Sequence, residues 1–260
     1  MRATPPLRCL LLVFALAAPF WLLGALVTTP ERVPIGLPLS ALQLVCPLIA
    51  AALLVYRADG SAGLRRLLTR AVRYRGIAPI RWLPIFRLMP AIYLLADGIQ
   101  RLLGRSLLDL RFPLPTILAL FLVLRIAALA EEVGWMGYAT DPLQARWGAP
   151  GAAIIPGLVW AAFLQGTHRL EWIVWHRSGG VALRVLIAWV YNNTGRSVLA
   201  AALLHTTDNV KWQLTEMSGA PYDPAINAAI MAVVAGTVTL LWGPATLGRF
   251  RSPRPVTLSP

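Results

Sequence analysis

The chain has 260 residues, of which 57% are hydrophobic and 13% charged, with a mean hydropathy of +0.64. A soluble domain carries about 25% charged residues, so an ordinary soluble fold is excluded. The net charge of +13 comes from 24 basic against 11 acidic residues, with Lys211 the only lysine; in a polytopic chain such charges set orientation and meet anionic lipid, so nucleic acid is the wrong partner.

Eight apolar stretches of about 20 residues would use roughly 160 positions, and short loops most of the rest. The predicted fold is therefore all-α, a polytopic transmembrane bundle of about eight helices forming a single integral membrane domain over residues 1–260. The first stretch, Cys9 to Thr28, follows Arg2 and Arg8. It has the basic and apolar parts of a secretory signal, but seven further apolar segments follow, and it is read as a retained helix. Cys9 and Cys46 both fall inside apolar runs, which argues for small buried hydrophobes rather than a disulfide or metal framework.

The second segment runs from about Gly36 to Tyr56. A basic connection over 57–77 follows, with Arg57, Arg65, Arg66, Arg70, Arg73 and Arg75 against the single acid Asp59. Leu64, Leu67, Leu68 and Val72 recur there at helical spacing, which describes an amphipathic helix on an anionic membrane surface; a solvated loop that only sets topology fits equally. The third segment is Pro79 to Ile99, the fourth Pro113 to Tyr138, the fifth Ala149 to His168, the sixth Val181 to Tyr191, the seventh Arg196 to Val210 and the eighth Pro224 to Trp242. The turn Asn192-Asn193-Thr194-Gly195 joins six and seven as a helical hairpin. The tail 249–260, with three arginines and three prolines, reads as flexible.

Loop charge sets the predicted orientation. With the N-terminus inside, that side holds thirteen basic residues: Arg2, Arg8, the six of the second connection, Arg146, Arg196, Arg249, Arg251 and Arg254. The other side holds seven: Arg32, Arg101, Arg105, Arg111, Arg169, Arg177 and Lys211. Both termini are expected in the cytoplasm, in a plasma (inner) membrane. Arg81, Arg87, Arg125 and Arg184 fall within helices.

Two polar clusters stand out against this background. At the end of segment four, Glu131 and Glu132 precede the run Val133-Gly134-Trp135-Met136-Gly137-Tyr138. An ionisable residue near the bilayer should face the bundle interior or a wet cavity, and adjacent residues project about 100° apart, so one points at a shared site while the other orients it. In segment seven, His205 and Asn209 are i, i+4 and share a face, with Asp208 close by; an imidazole and an amide together supply a base and an oxyanion donor.

These residues carry a resemblance. Glu131-Glu132 before Gly-Trp-x-Gly-Tyr, and the run Val190 to Ala200 leading to His205-x-x-x-Asn209, resemble the CPBP family, the CAAX prenyl protease and bacteriocin-processing (Abi-domain) intramembrane proteases. The similarity spans roughly residues 79–210. It implies a glutamate-activated water attacking a peptide carbonyl inside the membrane, with Glu131 as general base, Glu132 as its orienting neighbour, His205 as a catalytic or water-positioning histidine and Asn209 as stabiliser of the oxyanion. The implied partners are the lipid bilayer and a hydrophobic or lipidated peptide. No cofactor is certain; a divalent metal is left open, since two glutamates, one histidine and an asparagine make a poor zinc set without a second histidine.

Two motif positions depart from the family pattern. The arginine of Glu-Glu-x-x-x-Arg is Met136, and the natural alignment of the second motif pairs Trp160 with Leu164 where a histidine is expected. His168, four residues on, shares that helical face and is the candidate replacement, while capping of the helix end beside Arg169 and Glu171 is its structural alternative. His176 is read as interfacial. Arg125, two turns before Glu132, is the candidate replacement for the arginine. Two other readings stay open: a catalytically impaired homologue with a binding or regulatory role, and a proton-coupled transporter using Glu131, His205 and Asp208. Against the last, no inverted repeat is found.

Overall fold

The computed structural model describes residues 6–26, 39–105, 112–161, 169–219 and 222–248. These form α1 (Pro6–Leu26), a short 3-10 turn (Leu39–Val45), α2 (Cys46–Ala71), a second 3-10 turn (Pro79–Arg81), α3 (Trp82–Leu102), α4 (Leu114–Gly134), a π-helical segment (Trp135–Ala139), α5 (Thr140–Ala161), α6 (Leu170–Asn193), α7 (Val198–Ser218) and α8 (Pro224–Trp242). The all-α bundle expected from composition is what forms. Five stretches are long and apolar enough to cross a membrane, and one of them, Leu114–Val159, runs through both α4 and α5. Large apolar side chains such as Leu94, Ile126, Val233 and Leu240 point outward from the bundle, the arrangement of an integral membrane protein whose solvent is lipid.

Helix bounds differ from expectation in four places, one being the fifth segment, where α5 begins at Thr140 rather than Ala149 and continues across a kink at Gly148. The amphipathic stretch after Tyr56 continues α2 across a kink at Gly60 (φ 64°, ψ −160°). It is helical rather than a loose connection, and it buries Gly63, Leu67 and Ala71 while Arg65, Arg66 and Leu68 stay exposed. The sixth segment begins at Leu170 rather than Val181, and the seventh extends to Ser218. In both, polar residues on one face hid helical turns from an apolar count. His176 accordingly lies within α6, half-buried and stacked on Trp172 at 4.8 Å with Trp212 and Tyr222 at the edges.

Local chemistry sets the ends. Ser197 caps α7 by accepting from Ala200 N–H at 3.2 Å, and Gly219 closes it in a left-handed conformation (φ 64°). The α6–α7 turn is pinned to the segment after α8: Asn192 and Asn193 donate to the carbonyls of Thr246 and Leu247 at 2.8 and 2.6 Å.

Asp223 caps α8, accepting from Ala225 and Ile226 N–H at 2.9 and 3.1 Å, and pairs with the Arg105 guanidinium. Burial pushes its carboxyl up, but the Ile226 N–H, the Arg105 contact and the Ala225 N–H outweigh that and hold it below the usual aspartate range. A lowered folded value means its stabilisation is present at neutral pH and is lost as pH falls through that value. Asp223→Ala is therefore expected to cost about 1 kcal/mol at pH 7. Thermal melts in detergent should show the gap to the parent protein closing as the solution is taken below the aspartate range.

In the packing, α4 lies between α7 and α2, α6 packs on α5 and α8, and α3 rests on α7. The α4–α2 approach is closest at Gly134, where an added Cβ would overlap the carbonyl and Cβ of Pro47. Gly134→Ala is expected to lose about 1–3 kcal/mol by overpacking. Gly98→Ala, where a Cβ meets nothing, should lose none, and parallel melts of the two variants check this.

Candidate active site

The polar cluster forms where α4, α6 and α7 meet. Glu131 and Glu132 occupy the last turn of α4, directly before the π-helical segment. In that segment Thr140 N–H reaches the carbonyl of Trp135, five residues back, and the wider turn leaves backbone carbonyls for other donors. Arg70 of α2 takes one of them, donating to the Gly137 carbonyl at 2.6 Å. π-turns of this kind occur frequently at functional sites.

The two glutamates share one guanidinium. Arg184 Nη1 donates to Glu132 Oε1 at 2.5 Å and Nη2 to Glu131 Oε2 at 3.2 Å. A planar fork reaches both carboxylates although their Cβ bonds diverge along the helix. The guanidinium carbon lies 5.9 Å from the Trp135 ring centroid, and the stem passes Gly157 of α5, where a Cβ would come within 3.5 Å of Arg184 Cγ. His205 Nδ1 meets the same Glu132 Oε1 at 2.9 Å. With the carboxylate accepting, Nδ1 carries the proton and Nε2 is left as the chemically available nitrogen.

Exposure separates the two acids. The Glu132 side chain is 0% exposed and Glu131 8%, against 5% for both Arg184 and His205. Glu132 thus holds Arg184 and His205 in place, while Glu131 is the less enclosed of two buried carboxylates. Glu132 Oε2 accepts no hydrogen bond. Asn209, one helical turn beyond His205, is half-buried on α7.

The structure therefore brings Glu131, Glu132 and His205 together and places Asn209 one turn away. His168 and Leu164 lie outside the described residues. Met136 is buried and takes a contact from Thr140 Oγ1 to its Sδ at 3.3 Å, in an apolar setting unlike that of an arginine. The cation at the glutamates is Arg184; Arg125 Nε is buried without a hydrogen-bond partner. Sequence reasoning placed Arg184 inside a helix but gave it no role. The signal was present: a charge in the run Val181 to Tyr191 needs a counter-ion, and the adjacent acids of another apolar run were the natural partners. Asp208, on the neighbouring face, accepts from Tyr93 O–H at 3.0 Å. Among the described residues, no three His, Cys, Asp or Glu side chains are grouped to hold a metal ion.

Residues 113–210 match the family model described as Type II CAAX prenyl endopeptidase Rce1-like. The chain is also similar to a CAAX prenyl protease 2 of Methanococcus maripaludis, 24% identical over 217 residues that cover 76% of this chain and 79% of that protein. The matched region contains the glutamate pair, Arg184, His205 and Asn209. Motif order, matched region and relative point the same way: residues 113–210 are similar to the Rce1-like members of the CPBP family.

Proposed function

We propose that the protein is an intramembrane endopeptidase of the CAAX type, cutting hydrophobic or lipidated peptides. The relative's name points to prenylated C-terminal peptides as the substrate class. The observation that carries this reading is the clustering of the Glu131 and Glu132 carboxylates with an imidazole that Glu132 orients.

In this reading Glu131 takes a proton from water as the oxygen attacks the peptide carbonyl carbon. The C–N bond then breaks, and the proton passes to the leaving amine. Arg184 balances carboxylate charge and fixes both side chains. His205, held through Nδ1, presents Nε2 to the water or leaving group, and the Asn209 amide donates to the oxyanion. The leucine at the second-motif position favours an alternative, a non-catalytic homologue that binds such peptides.

The test is cleavage of a quenched prenylated peptide by purified protein, beside Glu131→Gln and His205→Ala. Loss of cleavage in both variants, with wild-type turnover, supports the enzyme. Equal signals from all three proteins leave only the binding role.

A further inference from the structure

Beyond the kink at Gly60, α2 turns a basic face to a cleft of about 550 Å³ lined by Arg66, Thr69, Arg70 and Arg73. Arg66, Thr69 and Arg70 share one helical face by their i, i+3, i+4 spacing. Arg73 follows past the helix end, its carbonyl held by Ser197 Oγ at 3.1 Å. The acids available are few. Asp59 pairs with Arg66 at 3.3 Å, and Asp141 is divided between Arg70 at 3.4 Å and Arg196 at 3.6 Å. No carboxylate among the described residues pairs with Arg73. Guanidinium groups thus outnumber carboxylates around a concave surface. Beside them Leu68, Val72 and Tyr74 are exposed, and exposed apolar side chains interleaved with arginines belong at a headgroup boundary.

We infer that this cleft is a discrete binding site for one phosphate group, supplied by the headgroup of an anionic lipid. Arg66 and Arg73 clamp the phosphate oxygens and Arg70 closes the floor, while Thr69, whose hydroxyl donates to the Arg66 carbonyl at 3.0 Å, lines the wall. Arg70 also holds the Gly137 carbonyl and donates to Tyr191 Oη at 2.5 Å, so an occupied cleft braces α2 against the π-helical segment and α6. The inference stands independently of peptidase activity.

The experiment uses the full-length protein in detergent, with native mass spectrometry and thermal unfolding in the presence of phosphatidylglycerol, phosphatidylcholine or inorganic phosphate. One phosphatidylglycerol should be retained in preference to phosphatidylcholine and should raise the melting temperature. Arg66→Gln/Arg73→Gln should bind about thirty-fold more weakly. Both positions are exposed, so the fold should survive, and Arg101→Gln, elsewhere on the surface, should behave as the parent. If inorganic phosphate alone reproduces the rise, and the double variant abolishes it, the phosphate site stands and its ligand is soluble. Equal retention of the two lipids, or an undiminished response in the double variant, overturns the site.

Discussion

On the proposed peptidase reading, Glu131→Gln is expected to lower turnover of a cleaved peptide by roughly 10²–10⁴-fold, the usual contribution of a positioned general base, and to leave the folded protein intact. Glutamine keeps the length of the side chain and an oxygen for Arg184 Nη2, now 3.2 Å from Glu131 Oε2, but it takes no proton from water. The loss should fall on kcat, because the side chain's task is performed in the transition state rather than in binding. Glu132→Gln gives a different pattern. It weakens the orientation of His205 and should lower the melting temperature as well as the rate. Single-turnover cleavage with each variant, set beside its melting temperature, separates the two roles. A Glu131→Gln protein as fast as the parent would end the assignment of the base.

Arg184→Met is expected to be the most damaging single change to stability, by about 3–5 kcal/mol, because it leaves two buried carboxylates facing each other without their cation. The side chains concerned are 5%, 0% and 8% exposed for Arg184, Glu132 and Glu131, so solvent offers little screening. Lysine at 184 should recover part of the loss. Its ammonium is a point charge that cannot repeat the two-pronged contact with both acids. The decisive comparison is the neutral triple variant Arg184→Met/Glu131→Gln/Glu132→Gln, which removes the charges together and should melt well above Arg184→Met alone. Melting temperatures of the three proteins in one detergent check this; an Arg184→Met protein that melts with the parent would show the ion pair to be energetically idle.

How far the sequence foretold this arrangement depended on which physical signal a residue carries. Segments four and eight were legible because long apolar runs dominate them, broken by charge in the fourth only at Arg125 before the glutamate pair: Pro224–Trp242 forms α8 over the expected residues, and the fourth ends in the π-helical segment at Ala139. Segments six and seven were read short because His176 ahead of the one, and Lys211 and Gln213 beyond the other, are polar residues on helical turns packed against neighbouring side chains. The glutamate pair and His205 were legible as costly polar groups in apolar runs. Their cation was not, since a one-dimensional search looks along the same helix. Arg125 lies seven residues from Glu132, whereas Arg184 lies 52 away and arrives only through the tertiary packing of α6 on α5, α7 and α8.

The separation of the charged partners along the chain bears on how the protein is made. Arg184 and its acids are 52 and 53 residues apart, and His205 lies 73 beyond Glu132, so α4 leaves the ribosome long before its counter-charges exist. Neither α6 nor α7 is among the stretches apolar enough to cross a membrane by composition, and an arginine near the centre of an isolated helix opposes insertion by about 2.5–3.5 kcal/mol. The α6–α7 hairpin is therefore expected to need the rest of the bundle in order to enter the bilayer, with the glutamates of α4 offering the counter-charge to Arg184. On that expectation, neutralising Arg184 together with Glu131 and Glu132 would ease insertion of α6 as well as remove the site's charges.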